Sequence, residues 1–274
     1  IPMTWDFAEG NPFSDSTGNW MAMVDWVWKV VERLPATTEG HIAQRDAVAR
    51  IEELSQPVVS ADPPYYDNVP YADVSDFFYA WLRRNLRDVW PDELSTLAVP
   101  KAEELVADVQ RHGSKELARA FFESGMAKVF EAATEAQNPA IPMTIFYAFK
   151  QTEGGNGDQA STGWETFLAG LLSSGLAVLS TWPVRTELAN RPRAFKSGAL
   201  ASSIVLVCRP RPADAKLATR SEFLAALRAE LPGAVRLLQK ESIAPVDMAQ
   251  SAIGPGMAVF SRYAKVLEAD GSPM

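Results

Sequence analysis

The chain has 274 residues, of which 47% are apolar and 10% aromatic, enough for one large domain, or one domain with an appendage, to bury a sizeable core. A net charge of −8 weighs mildly against a nucleic-acid binder, although the local distribution of Lys and Arg decides that question. The single cysteine excludes an internal disulfide and a cysteine-rich zinc site and fits a reducing cytoplasm, and no apolar run reaches the roughly 18 residues of a membrane helix.

Residues 1–20 carry acids and no basic start, so no signal peptide is expected. A start at Ile1 and an end on Gly271-Ser272-Pro273-Met274 point to a piece of a longer protein. Asn19 to Leu34 reads as a helix: Asn19 caps it, apolar residues recur at Trp20, Val24, Val27, Val31 and Leu34, and Pro35 ends it. Trp20, Trp26 and Trp28 are expected in a core. His41-Ile42-Ala43-Gln44 is a short candidate strand before Asp46, and Val58-Val59-Ser60 is a short buried strand before Asp62.

Asp73 to Val89 reads as a helix capped by Asp73, with Val74, Phe77, Phe78, Trp81, Leu82, Leu86 and Val89 on one face. Leu117 to Ala133 is another, with Leu117, Phe121, Phe122, Met126, Val129 and Phe130 along one side. Met143 to Phe149 reads as a buried strand, followed by the polar loop Glu153-Gly154-Gly155-Asn156-Gly157. Thr162-Gly163-Trp164-Glu165 is a capping box that opens a helix closed by Gly175. Leu176 to Arg185 and Ser202 to Arg209 are strands. Thr219 and Glu222 open a late helix through Leu231, and Gly254-Pro255-Gly256 punctuates the tail. Strands alternating with helices indicate an α/β sheet, and two consecutive strands at its end indicate an antiparallel finishing pair.

The sharpest motif is Asp62-Pro63-Pro64-Tyr65, followed by Tyr66, just after a strand. Ligands of α/β sheets bind outside the carboxyl ends of strands. Two prolines stiffen the loop and push the residue before each toward extended backbone. The Asp62 carboxylate and the Pro63 carbonyl can together accept both hydrogens of an amino group, and Tyr65 offers a flat face on which a base can stack. Holding an exocyclic amine in this way favours a pyramidal nitrogen and aims its lone pair outward; deprotonation by Asp62 can follow attack.

Asp-Pro-Pro-Tyr resembles the catalytic motif of methyltransferases that act on adenine N6. More widely, Asp62 to Arg84 (DPPYYDNVPYADVSDFFYAWLRR) is similar to the large adenine-specific DNA methylases that carry a zinc ribbon elsewhere in their chain. Thr4 to Glu9, Asn11-Pro12-Phe13, Tyr147 to Lys150, Gly163 to Thr166, Thr181-Trp182-Pro183, Arg185-Thr186-Glu187 and Ser202 to Arg211 resemble further segments of that family. The resemblance implies a Rossmann-like fold, S-adenosyl-L-methionine as donor and DNA as substrate. It carries over Asp62, Pro63 and Tyr65 as base-pocket residues, with Pro64 between them. Two features of the family are absent: the zinc ribbon, and the Gly-rich donor loop, which in the family lies upstream of this region.

For the donor, the residues offer Asp46, which would accept from the donor's adenine amine or simply cap a helix, and Asn11 with Phe13, near the methionine end or in a plain turn. Gly154 to Gly157 reads as a surface loop, and Gly254-Pro255-Gly256 is a weak donor motif. Between Arg185 and Arg211 one acid stands among seven charges; Arg185, Arg191, Arg193 and Lys196, together with Tyr66, are the candidate nucleic-acid contacts. The expectation is an incomplete Rossmann-like methyltransferase sheet with antiparallel last strands. Residues 1–211 form its catalytic region and 212–274 a C-terminal extension. The enzyme is cytoplasmic, has no membrane partner, and methylates adenine N6 in DNA. The alternatives are the same chemistry on RNA, and a non-catalytic DNA-binding or assembly module. Oligomeric state is not legible.

Overall fold

The computed structural model describes residues 11–35, 37–41, 43–66, 69–147, 158–185, 202–240 and 245–274, the side chains of 158–165, 185, 202 and 245–250 excepted. The chain divides into two compact units, Ile1–Gln44 and Arg45–Met274. In the first, helix α1 (Trp20–Arg33) starts at Asn19, whose side-chain oxygen accepts the Ala22 N–H at 2.8 Å. Its tryptophans are not core, however: Trp20, Trp26 and Trp28 are 61%, 67% and 50% exposed. Helical spacing identifies a common face without saying what covers it. His41, Ala43 and Gln44 form no strand.

The second unit contains α2 (Ala47–Glu52), β1 (Ser60–Ala61), α3 (Tyr71–Leu86), α4 (Val109–His112), α5 (Lys115–Ala136), β2 (Met143–Tyr147) and α6 (Asp158–Ser173). It continues with β3 (Leu176–Arg185), β4 (Ser202–Pro210), β5 (Leu217–Thr219), α7 (Arg220–Lys240), α8 (Pro245–Ser261) and β6 (Lys265–Leu267). It is a mixed α/β structure. One mixed sheet has the order β1-β2-β4-β3, and β5 pairs with β6 in parallel as a separate ribbon. β1 and β2 are parallel, while β4 runs antiparallel to both β2 and β3. The four expected strands are therefore neighbours, and the finishing pair is antiparallel. The first is shorter and later than expected: pairing starts at Ser60, and Val58 is exposed. No described helix is long and apolar enough to cross a membrane.

The core follows from two periodicities. Along β2, Met143, Ile145 and Tyr147 are buried while Thr144 and Phe146 are half-buried. On α5, Ala118, Phe122, Met126, Phe130 and Ala133 form a buried stripe. These side chains meet Phe167, Leu168 and Leu171 of α6, Leu176 and Val178 of β3, and Ile204, Leu206 and Cys208 of β4 in one cluster. Each fully buried side chain of this size contributes about 1.5–3 kcal/mol. Cys208 is a packing residue, and burial pushes its thiol up to about 12.

Several local signals resolve differently in three dimensions. Helix α6 begins at Asp158, so Thr162 to Glu165 lies inside it and not at its start; Gly175 does close the turn after it, at φ +81°. Helix α3 begins after Pro70, and Asp73 sits in its first turn. Its aromatic stripe is a real face, but Phe77, Phe78 and Trp81 are exposed. The buried residues are Ala72 and Tyr79 on the other side, where the Tyr79 hydroxyl donates to the Thr96 carbonyl at 2.9 Å. The Thr219–Glu222 box is reciprocal as expected, with bonds of 2.7 and 3.2 Å. The helix it opens runs past Leu231 and through Pro232 to Lys240.

Gly254-Pro255-Gly256 does not punctuate the tail; it lies within α8. That helix packs on β3 at a bulge, where the register shifts between Val178 and Ser180. The Ser261 hydroxyl fills the gap, accepting the Val178 N–H at 2.9 Å and donating to the Val178 carbonyl at 3.2 Å. Closer to the middle of α8, a Cβ on Gly254 would stand 1.8 Å from Thr181 Oγ1 and 2.4 Å from Thr181 Cβ. Gly254→Ala is therefore expected to force α8 off β3 and cost about 1–3 kcal/mol. A thermal melt no lower than wild type would show that the helix can shift freely.

Candidate active site

Asp62 follows β1 directly. Because β1 and β2 are parallel, the motif leaves the sheet at their shared carboxyl end, and the Ala61–Ile145 pairing sets Asp62 and Pro63 level with Phe146 and Tyr147. The strand pair thus delivers the motif to the end of an α/β sheet where ligands bind. β3 runs in the same sense and also ends there, at Arg185, and β4 begins there, at Ser202, its register partner.

Asp62 is exposed, and Pro63, Pro64, Tyr65 and Tyr66 are half-buried. The Tyr65 hydroxyl donates to Asp62 Oδ1 at 2.8 Å. Burial first, and then the hydrogen bond and negative charge of Asp62, push the phenol above its ordinary ionisation range, so it stays a neutral donor. The Tyr65 ring lies 5.1 Å from the Tyr147 ring at 64°, and Tyr147 stacks on Phe167 at 4.1 Å and 21°. Phe167 meets Phe130 edge-on at 5.4 Å.

The far side of the turn is held as firmly. Tyr66 adopts φ +45°, a left-handed conformation that costs a bulky residue about 1–3 kcal/mol. Its carbonyl accepts the Ala107 N–H at 2.9 Å, and its ring packs edge-on against Phe122 at 5.2 Å. At the start of α3 the Ala72 N–H donates to Glu104 Oε1 at 2.9 Å. Arg111 in turn pairs with Glu104 at 2.6 Å and with Asp73. Residues 104–111 therefore hold the chain at two points after the motif, Tyr66 and the start of α3.

The proposed base-pocket residues are thus brought together in one turn. Tyr66 is placed with them, but its ring is committed to Phe122. Asp46 caps α2, accepting the Ala49 N–H at 2.9 Å. Asn11 accepts the Phe13 N–H at 3.0 Å in a local turn, with Phe13 exposed; both belong to the Ile1–Gln44 unit. Arg185 ends β3. Arg191, Arg193, Lys196 and the loop Gly154 to Gly157 lie outside the described residues. Of the basic stretch, Arg209 donates to the Pro139 and Ala140 carbonyls, and Arg211 is likewise bound to backbone.

No family model, curated protein or solved structure matches this chain. What the site can do rests on its own chemistry: an exposed carboxylate with acceptor capacity beyond the bond from Tyr65, beside a partly exposed phenol ring, on a proline-stiffened turn. Among the described residues of the Arg45–Met274 unit, no left-handed glycine follows β1 or β2 directly, and the Ala72 N–H at the start of α3 is taken by Glu104, so these residues do not present the glycine loop at a helix N-terminus that would cradle a methyl donor. Sequence reasoning missed Tyr147 and Phe167 as supports of Tyr65. The apolar run from Met143 marked a buried strand, and the period of two along it is what turns Tyr147 to the same side as Met143 and Ile145. The clamp by Ala107 and Glu104 joins positions far apart in sequence and left no signal.

Proposed function

We propose that this chain is the base-holding part of an S-adenosylmethionine-dependent adenine-N6 DNA methyltransferase. The observation that carries the reading is the placement of Asp62-Pro63-Pro64-Tyr65 at the carboxyl end of parallel strands, with Asp62 exposed and Tyr65 bonded to it. Asp62 accepts a hydrogen of the adenine amine, Tyr65 supports the flipped base, and Asp62 takes the proton once the nitrogen has become cationic. Topology supports the same reading. β1, β2 and β3 are parallel and step across the sheet in one direction, as in one half of a doubly wound fold, with antiparallel β4 inserted. β1 lies at the sheet edge, on the side where the other half of such a fold would pair.

DNA contact is assigned to the connection between Arg185 and Ser202, which carries Arg191, Arg193 and Lys196. Its two ends stand about 10–14 Å from β1, counting two and three strand spacings across the sheet. The donor, when bound, supplies the methyl group.

Two incubations test this. The purified chain with labelled S-adenosylmethionine and DNA is expected to incorporate label at background level. Robust incorporation would place a donor site within this chain. Expression of the intact gene in a host free of adenine methylation is expected to leave N6-methyladenine in the genome. Unmodified adenines there would overturn the reading and favour a module that holds DNA without turnover.

A further inference from the structure

We propose that the Tyr65 hydroxyl is a positioning group that aims the Asp62 carboxylate, so that discrimination in favour of an amino-bearing purine depends on that hydroxyl and not on Asp62 alone. The inference rests on the adenine reading above. An exposed aspartate on a loop samples several rotamers, and only some point an oxygen at a given amine. Among the described residues, Tyr65 is the hydrogen-bond partner of Asp62, through Oδ1 at 2.8 Å.

Tyr65 is itself held from the interior. Its ring rests against Tyr147, which is 2% exposed and stacks on the fully buried Phe167. Phe167 meets Phe130, on the central stripe of α5. A ladder of aromatic rings therefore runs from the core to a single carboxylate oxygen. The bond from Tyr65 occupies part of Oδ1 and leaves Oδ2 to accept the amine, because an ionised carboxylate offers about four lone-pair sites. Burial and the carboxylate both keep the phenol protonated, so this bond persists through the neutral range. Removing the hydroxyl while keeping the ring should release the carboxylate but preserve the stacking face.

The test uses the chain itself and two nucleosides that differ only in the exocyclic amine, deoxyadenosine and purine deoxyriboside. Each is titrated against isotope-labelled protein by NMR. Wild type is expected to prefer deoxyadenosine about tenfold, the worth of one hydrogen bond to a charged group. Asp62→Ala should lose that preference. Tyr65→Phe, which keeps the stacking ring, should reduce it to within about twofold, mostly by weakening deoxyadenosine; Tyr65→Leu should weaken both ligands. Matching amide spectra confirm the fold of each variant. A Tyr65→Phe chain with wild-type preference would overturn the positioning role and leave the adenine reading standing. Equal weakening of both ligands in Tyr65→Phe would also overturn it, because the hydroxyl would then be supporting the loop. A wild-type chain with no preference would overturn the adenine reading itself.

Discussion

On the proposed adenine-N6 reading, Asp62→Ala is expected to lower methyl transfer about a hundredfold or more, the usual scale for removing one preorganised polar group from a reacting centre. The same change should leave the melting curve almost unmoved. Asp62 is exposed, follows a two-residue strand, and has its described bond only to Tyr65, so its removal opens no cavity and strands no buried partner. Substitutions of that kind fall within about 0.5 kcal/mol of neutral. Label incorporation and a thermal melt on the same preparation separate the two effects. Activity within about threefold of wild type would be only about 0.7 kcal/mol of lost transition-state stabilisation and would remove Asp62 from the chemistry.

Arg211→Ala should do the reverse, unfolding the protein more readily whatever its effect on DNA. Its guanidinium donates to the Ser261 carbonyl at 2.9 Å, to Leu172 and Leu176 at 3.1 and 3.0 Å, and to Ala264 at 3.4 Å. Leu172 lies in the last turn of α6 and Ser261 is the last residue of α8, so one cation serves the negative ends of two helices and the first residue of β3. Burial nudges its ionisation downward, but a guanidinium remains charged at any pH the fold survives. Its loss leaves several carbonyls competing for scarce water. A cost of about 3 kcal/mol, or roughly 10 °C in Tm, is expected for a unit of this size. Arg211→Lys should recover only part of it, since a point charge cannot serve carbonyls lying in several directions. An unchanged Tm with weakened, less salt-dependent DNA binding would return Arg211 to the phosphate-contact role that its position in a basic stretch first implied.

The elements legible in the sequence were those governed by neighbours. Asn19 caps α1 and Thr219 with Glu222 opens α7, because a cap and its helix lie within three residues of one another. β3 was readable to both ends. Its interior was not: the bulge between Val178 and Ser180 reverses which residues face the core, so that Thr181 points toward α8 and Trp182 outward at 60% exposure. Thr162 to Glu165 has the letters of a capping box inside a helix that had already begun, since the box pattern is equally compatible with helix interior. Gly254 looked like punctuation and is a contact, because glycine marks either a free backbone or a crowded one. At the site, the motif's residue types marked a stiff turn after a strand. What steadies them came from Tyr147, Glu104 and Ala107, which reach it only through the fold.

The pairing of Arg185 with Ser202 also bears on how this protein can be re-engineered. Arg185 and Ser202 share one rung, so the β3–β4 ladder fixes only where its two ends meet and not how many residues join them. Because closure entropy grows by only about 0.6 kcal/mol for each doubling of length, inserting residues between these two positions is expected to leave the melting temperature nearly unchanged.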